Sequence, residues 1–141
     1  MTAVSLVGEA ELDELLPLMR GYSDFYEVTP TDEALLTLSR ALIADPQREG
    51  QQFLARDGDG RAIGFATVYW LWSTTSATRI GLMNDLYVAP EALIERCREA
   101  CRAHGASKLT WQTAKDNGLA QAVYDRIGGE RSEWLDYSLP A

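Results

Sequence analysis

The sequence contains little of what several kinds of functional site require. Its 141 residues include one histidine and two cysteines, so a metal site built from these ligands has few donors. No apolar run approaches the ~18 residues that a membrane span requires, and the first residues lack a basic start followed by a long apolar stretch. We therefore expect a cytoplasmic protein with no membrane role.

Basic residues are also scarce. Thirteen Lys and Arg stand against 21 Asp and Glu, which gives a formal net charge of −8. Such a field repels phosphate backbones, so nucleic acid is not an expected partner. The same field favours a cationic amine as substrate, although an acidic surface also serves solubility alone.

The two cysteines and the histidine share one predicted helix. Cys97, Cys101 and His104 follow at helical spacing, which raises the possibility of a metal site. Neighbouring apolar residues make the same face a core stripe, and free cysteine commonly behaves as a small buried hydrophobe. We expect core packing and no metal. The serines show no nucleophile-elbow pattern, which argues against a hydrolase.

The pattern of the chain predicts one domain over residues 1–141, without linker or internal repeat. Strands are predicted at residues 3–7, 51–56, 62–71, 79–88, 107–113 and 133–139. Helices are predicted from Leu12 to Tyr22, from Pro30 to the Asp45-Pro46 stop, and over residues 92–104 and 117–127. Pro17 should kink or shorten the first helix, and residues 23–28 should be irregular. The fold class is α/β (α+β), with a mixed, mostly antiparallel sheet covered by about four helices.

Three segments in this order carry a family resemblance. They are MNDLYVAP at residues 83–90, AHGASKLTWQT at residues 103–113 and DNGLAQAVYDRIGGE at residues 116–130. Together they resemble the GNAT N-acetyltransferase superfamily over nearly the whole chain. The resemblance implies an acyltransferase that moves an acetyl group from acetyl-CoA to a primary amine of a small molecule or peptide, by direct attack in a ternary complex.

The resemblance also implies where the cofactor lies. The fourth strand splays from the fifth, and main-chain groups of Leu86, Tyr87 and Val88 would hold the pantetheine amides, with an N–H of Val88 or Leu86 facing the developing oxyanion. An ordinary central strand is the alternative. Tyr124 would protonate the departing thiolate, or else pack in the core. Asn117 would contact the cofactor, or else cap its helix.

The resemblance also implies an acceptor pocket, faced by carboxylates near the fourth strand and the early helices. The attacking amine must lose a proton, and Asp85 or Glu27 would accept it, in the safer version through a water bound by Asp85. Asn84 stands where some relatives carry glutamate, which puts direct general-base catalysis in doubt. Asp24, Tyr26 and Glu27 would line the acceptor entrance, or else form a mobile surface loop.

The resemblance further suggests a homodimer. Trp134, Leu135 and Tyr137 on the predicted last strand would lie at its interface.

One family element is missing. Relatives carry an Arg/Gln-x-x-Gly-x-Gly/Ala loop that cradles the CoA pyrophosphate, whereas here Pro90-Glu91 runs directly into Ala92. The explanation we favour is a segment missing from the sequence, which a gap between Glu91 and Ala92 would reveal. Natural loss and engineered deletion are the other two explanations. Loss of the loop would favour a second function, a non-catalytic module that binds acyl-CoA or another protein.

Overall fold

The computed structural model describes residues 2–141 and contains one sheet of five strands in the order β1-β2-β3-β4-β5. Its strands are β1 Ala3–Leu6, β2 Gly50–Arg56, β3 Ala62–Ser73, β4 Thr78–Tyr87 and β5 Leu109–Thr110; its helices are α1 Leu12–Phe25, α2 Asp32–Ala44, α3 Pro90–His104 and α4 Gly118–Arg126. This mixed, mostly antiparallel architecture confirms the predicted fold class. Within residues 2–141, no helix combines the length and the apolar character needed to cross a membrane.

Helix α1 is longer than predicted. It passes through Pro17 without a break and continues to Phe25, so the prediction of an irregular segment from residue 23 is wrong for its first three residues. Proline removes one backbone donor, but burial of Leu15 and Met19 on either side of it holds both halves of the helix against the sheet. Helix α2 begins at Asp32, two residues after the predicted start at Pro30, because the Thr31 hydroxyl caps it by accepting a hydrogen bond from the Ala34 N–H at 3.1 Å.

Alternating side chains of the central strands build a core on each face of the sheet. Leu54 and Phe65 pack with α1 on one face, whereas Phe53 and Val68 pack with α3 on the other. Cys97 and Cys101 are buried in the α3 core, in agreement with the packing interpretation.

Strands β4 and β5 separate after a short contact. They pair in parallel only at Gly81 with Leu109 and at Leu82 with Thr110, so β5 is shorter than the predicted strand at residues 107–113. Strand β3 pairs with the other edge of β4 as far as Tyr87. From Met83 to Tyr87, the edge of β4 facing away from β3 therefore has no strand partner within residues 2–141. The predicted splayed pair is confirmed.

The predicted last strand is wrong. Residues 131–141 form no helix or strand, and Trp134 and Tyr137 are 90% and 91% exposed. Period-two alternation yields a strand only where a sheet edge is available for pairing and one face can be buried. The edge offered by β5 is two residues long, which is too short to hold the segment.

Candidate functional site

The opening between β4 and α4 forms a cleft of about 270 Å³. Its lining combines the C-terminal end of β4, one face of α4 and the end of α1: Tyr22, Phe25, Tyr26, Leu86, Tyr87, Val88, Pro90, Asn117, Ala120, Val123 and Tyr124. All five residues predicted to bind the cofactor line this cleft. The free edge of β4 thus faces a mainly apolar space in which main-chain groups can bind a ligand.

A glycine on the neighbouring strand shapes the main chain at the cleft. A Cβ atom at Gly64 would overlap the carbonyl oxygen of Tyr87 and lie 3.0 Å from that of Val88. Val88 and Ala89 then adopt left-handed φ values of 61° and 47°, which cost non-glycine residues about 1–2 kcal/mol each. The close approach of β4 to Gly64, followed by the left-handed backbone at Val88 and Ala89, turns the chain from β4 directly into α3.

The structure contains no loop between the turn and the helix. Glu91 and Ala92 occupy consecutive positions of α3, which begins at Pro90 rather than at the predicted residue 92. Pro90 offers no N–H, and Glu91 forms an ion pair with Arg126 of α4. The start of α3 therefore carries a carboxylate where an anion-binding loop would present N–H groups.

Helix α4 brings Tyr124 to the cleft. Asn117 caps this helix by accepting a hydrogen bond from the Ala120 N–H at 3.2 Å, so its expected alternative role as N-cap is present together with a place in the lining. The Tyr124 ring packs edge-on against Trp111 with a centroid distance of 5.3 Å. Burial is the main cause that raises the pKa of Tyr124, and the nearby Tyr26 adds to it. The Tyr124 hydroxyl is therefore protonated at neutral pH.

A bulge in β4 precedes the predicted general base. The β3–β4 register pairs Thr67 with Asp85 but the next residue, Val68, with Met83, so Asn84 is the extra residue of β4. Bulges commonly re-aim side chains beside active sites. Here the bulge lies next to the carboxylate of Asp85 and at the point where β4 leaves β5.

Asp85 lies in a second cavity, of about 210 Å³, between β4, α1 and α2. Its lining comprises Met19, Tyr22, Ser23, Leu35, Leu38, Phe65, Tyr69, Asn84 and Asp85. Burial raises the pKa of Asp85, and the facing hydroxyls of Thr67 and Tyr22 oppose that rise. Burial and the charge of Asp85 raise the pKa of Tyr69 to about 12. A carboxyl with a raised pKa is a stronger base than an exposed one.

Tyr22 joins the two cavities, whereas the sequence analysis named it only as the last residue of the first predicted helix. Its ring lines both, and its hydroxyl donates to the Asn84 carbonyl oxygen at 3.4 Å. Burial and then the charge of Asp85 raise the pKa of Tyr22. The Tyr22 and Tyr26 rings lie 4.9 Å apart, and their i, i+4 spacing was the available signal for a shared aromatic wall.

The three residues predicted at the acceptor entrance do not lie together in one cavity. Tyr26 lines the first cleft, whereas Asp24 and Glu27 line neither cavity. Glu27 adopts a left-handed φ of 57° just after α1, in the connection to α2. A role for Asp24 and Glu27 at the entrance stays a prediction about that connection.

Comparisons with known proteins identify the family and the fold. The model of the acetyltransferase (GNAT) family matches residues 15–129. The uncharacterized N-acetyltransferase YhfO of Bacillus subtilis (strain 168) is 27% identical over 124 residues, covering 82% of this chain and 81% of its own. The crystal structure of a probable acetyltransferase is 27% identical, with a TM-score of 0.83 and coverage of 99% and 97%. Aminoglycoside N-acetyltransferase AAC(6')-Iy in complex with CoA shares the fold at 16% identity, with a TM-score of 0.84 and coverage of 99% and 95%.

Proposed function

This chain belongs to the acetyltransferase (GNAT) family and is an acyltransferase, and from that premise we propose that it acetylates a primary amine of a small molecule with acetyl-CoA. The observation that carries the proposal is the free β4 edge from Met83 to Tyr87 opposite Tyr124, beside a second cavity that contains Asp85. Donor thioester and acceptor amine would approach the same stretch of strand from two sides and react directly in a ternary complex.

The cleft suits the thioester arm of the cofactor better than its diphosphate end. Main-chain groups of Leu86, Tyr87 and Val88 offer a strand-like edge for the pantetheine amides, and the lining is mainly apolar. At the start of α3, by contrast, Glu91 and Pro90 present neither positive charge nor a row of free N–H groups. We therefore expect binding energy to come mainly from the pantetheine end.

Tyr124 is the proposed acid. Acetyl-CoA supplies an acetyl group activated as a thioester, and the thiolate that leaves must be protonated or hydrogen-bonded. A phenol is protonated at neutral pH, and burial raises the pKa of Tyr124 further, so its hydroxyl has a hydrogen to donate to sulfur throughout the neutral range. Asn117 would contact the cofactor from the same helix, in addition to capping it.

Asp85 is the proposed base. An alkylammonium near pKa ~10 has no free lone pair, so the acceptor nitrogen must lose a proton before or during attack. Burial raises the pKa of Asp85 and makes its carboxylate a better acceptor of that proton, directly or through a water. The rate should consequently fall as the pH falls through the pKa of Asp85.

The acceptor is proposed to be a small cationic amine. The net charge of −8 attracts cations, and Asp85 supplies a partly buried carboxylate inside a cavity of about 210 Å³ with leucine and phenylalanine walls. Asp24, Tyr26 and Glu27 would guide the amine from the α1–α2 connection towards this cavity. A compact amine with an apolar body fits such a space better than an extended peptide.

The experiment compares Tyr124→Phe with Tyr137→Phe, a matched control on an exposed tyrosine. An amine panel is incubated with acetyl-CoA, products are identified by mass spectrometry, and cofactor affinity is measured by calorimetry. Tyr124→Phe should lower kcat on the order of 10²-fold while changing the acetyl-CoA affinity less than threefold. An unchanged kcat for the best amine would show that Tyr124 is not the acid.

The second candidate function is a non-catalytic module that binds acyl-CoA or another protein. The direct entry of β4 into α3, without a loop, favours it. Cofactor binding by calorimetry without acetylation of any amine in the panel would support this alternative. Absence of binding would leave a role in protein contacts.

A homodimer in the cytoplasm is proposed as well. Trp134, Leu135 and Tyr137 are exposed in one short segment, as expected of side chains that a partner copy would cover. Sedimentation equilibrium tests this proposal: the intact chain should have the mass of a dimer, and Trp134→Ser should shift it towards the monomer.

A further inference from the structure

Three polar side chains lie directly opposite one another across three neighbouring strands. The register pairs Gln52 of β2 with Thr67 of β3, and Thr67 with Asp85 of β4. Residues paired in this way project on the same face of a sheet, here the face that α1 and α2 cover. The row leads from the interior of the sheet to the carboxylate in the acceptor cavity.

One hydrogen bond joins two members of this row, and it leaves the third a potential acceptor. The Gln52 amide Nε2 donates to the Thr67 hydroxyl oxygen at 3.1 Å, which uses that oxygen as an acceptor. The hydroxyl hydrogen of Thr67 is then available to the carboxylate of Asp85, which it faces. A hydroxyl that accepts on one side and donates on the other is polarised towards its acceptor.

Gln52 is an unusual residue for its position. Gln52 is only 3% exposed, and the neighbouring Thr67 is fully buried. The Gln52 Oε1 atom has no hydrogen-bond partner among residues 2–141. The amide also lies 3.8 Å from the Met19 sulfur, a weak acceptor. A leucine would fill this core position without a buried unsatisfied atom, so the amide calls for an explanation other than packing.

The surroundings of Asp85 contain few other groups able to control it. Tyr22 of α1 and Tyr69 of β3 are the other titratable groups that line its cavity, and the Tyr26 ring packs against Tyr22 at a tilt of 53°. Helix α2 contributes leucines to the lining, and β4 itself contributes Asn84, whose amide donates to the Asp85 carboxylate at 3.3 Å. A basic residue is not part of this lining.

We propose that Gln52 and Thr67 are positioning residues, which act in series to orient the Asp85 carboxylate for proton transfer. Gln52 fixes the rotation of the Thr67 hydroxyl, and Thr67 holds the carboxylate in its charged form at the inner end of the acceptor cavity. The bulge at Asn84 leaves Asp85 in register with Thr67 while β4 parts from β5. The inference rests on the proposed function, because it assigns to Asp85 the role of base.

The test measures the Asp85 carboxyl directly in the unliganded protein. Its titration is followed by NMR of ¹³C-labelled aspartate side chains, with Asp85→Asn to identify the resonance, in Thr67→Val, Thr67→Ser, Gln52→Leu and the Gln52→Leu/Thr67→Val double variant. Ser39→Ala is the control, because Ser39 is also fully buried and touches Met19 at 3.6 Å but lies outside the row. Backbone spectra verify the fold of each variant.

Thr67→Val should move the Asp85 titration to higher pH, because the charged form loses a donor, and Thr67→Ser should restore it. Gln52→Leu should produce a smaller shift in the same direction, and the double variant should shift no further than Thr67→Val alone. Once an amine substrate is identified, the acid limb of the pH profile of kcat/KM should shift together with the Asp85 titration. At pH values below this limb, kcat/KM of Thr67→Val should fall on the order of tenfold, and at pH values above it kcat/KM should change little.

Two results would overturn the proposal: an Asp85 titration unchanged in Thr67→Val, or additive shifts in the double variant. If the Asp85 titration shifts as expected but the protein acetylates no amine, the positioning of Asp85 by Gln52 and Thr67 is supported and only the proposed function is refuted. If Gln52→Leu does not fold, Gln52→Met, which keeps the length of the side chain, replaces it.

Discussion

Replacing Gly64 with alanine should damage the cofactor edge of β4 from the neighbouring strand. The new methyl would overlap the Tyr87 carbonyl oxygen and lie 3.0 Å from that of Val88, and both neighbours are backbone atoms that no change of rotamer can move. Overpacking of this kind typically costs about 1–3 kcal/mol. The least costly relief is an outward shift of the turn at Tyr87 and Val88, which carries the proposed pantetheine contacts.

Gly58→Ala is the matched control, because a Cβ there meets no atom within 4 Å. Urea denaturation should show a loss of about 1–3 kcal/mol for Gly64→Ala and less than ~0.5 kcal/mol for Gly58→Ala. Calorimetry should show acetyl-CoA affinity weakened on the order of tenfold in the first variant only. Native stability together with native affinity in Gly64→Ala would refute the close packing and the role of this edge.

Further predictions concern burial. Because the raised pKa of Asp85 means that the folded state binds its proton more tightly, stability falls as the pH rises through that value, and Asp85→Asn should raise the melting temperature at pH 8 but not at pH 3. Burial raises the pKa of Cys97 to about 12 and of Cys101 to about 11, so iodoacetamide at pH 8 should label both only after denaturation, as mass spectrometry would show. Leu15→Ala, in the core, should cost about 2–5 kcal/mol in urea denaturation, against less than ~0.5 kcal/mol for the exposed Leu139→Ala.

The sequence was informative where the pattern is local. The period-two strands, the helix start at Asn117 and the helical stripe through Cys97 and Cys101 all follow from residues close together in the chain. The family resemblance added the parting of β4 from β5. These features depend on residues a few positions apart, so one sequence suffices to find them.

Features that depend on distant pairing were not predicted. Whether residues 133–139 form a strand depends on an available edge, and whether Gln52 and Thr67 serve Asp85 depends on the register of three strands. Tyr22 was predicted only as the last residue of a helix, and its position between two cavities follows from where α1 crosses the sheet. The first residues of α3 were misplaced because the expected loop is not there.

Hydrogen exchange with and without acetyl-CoA tests the central claim most directly. If the parted edge of β4 grips the cofactor, those main-chain amides of Leu86 to Val88 that point away from β3 should exchange slowly only in its presence, while the amide of Gly81, which donates to the Lys108 carbonyl oxygen, stays protected in both states. Binding detected by calorimetry with unchanged exchange at Leu86 to Val88 would contradict the account.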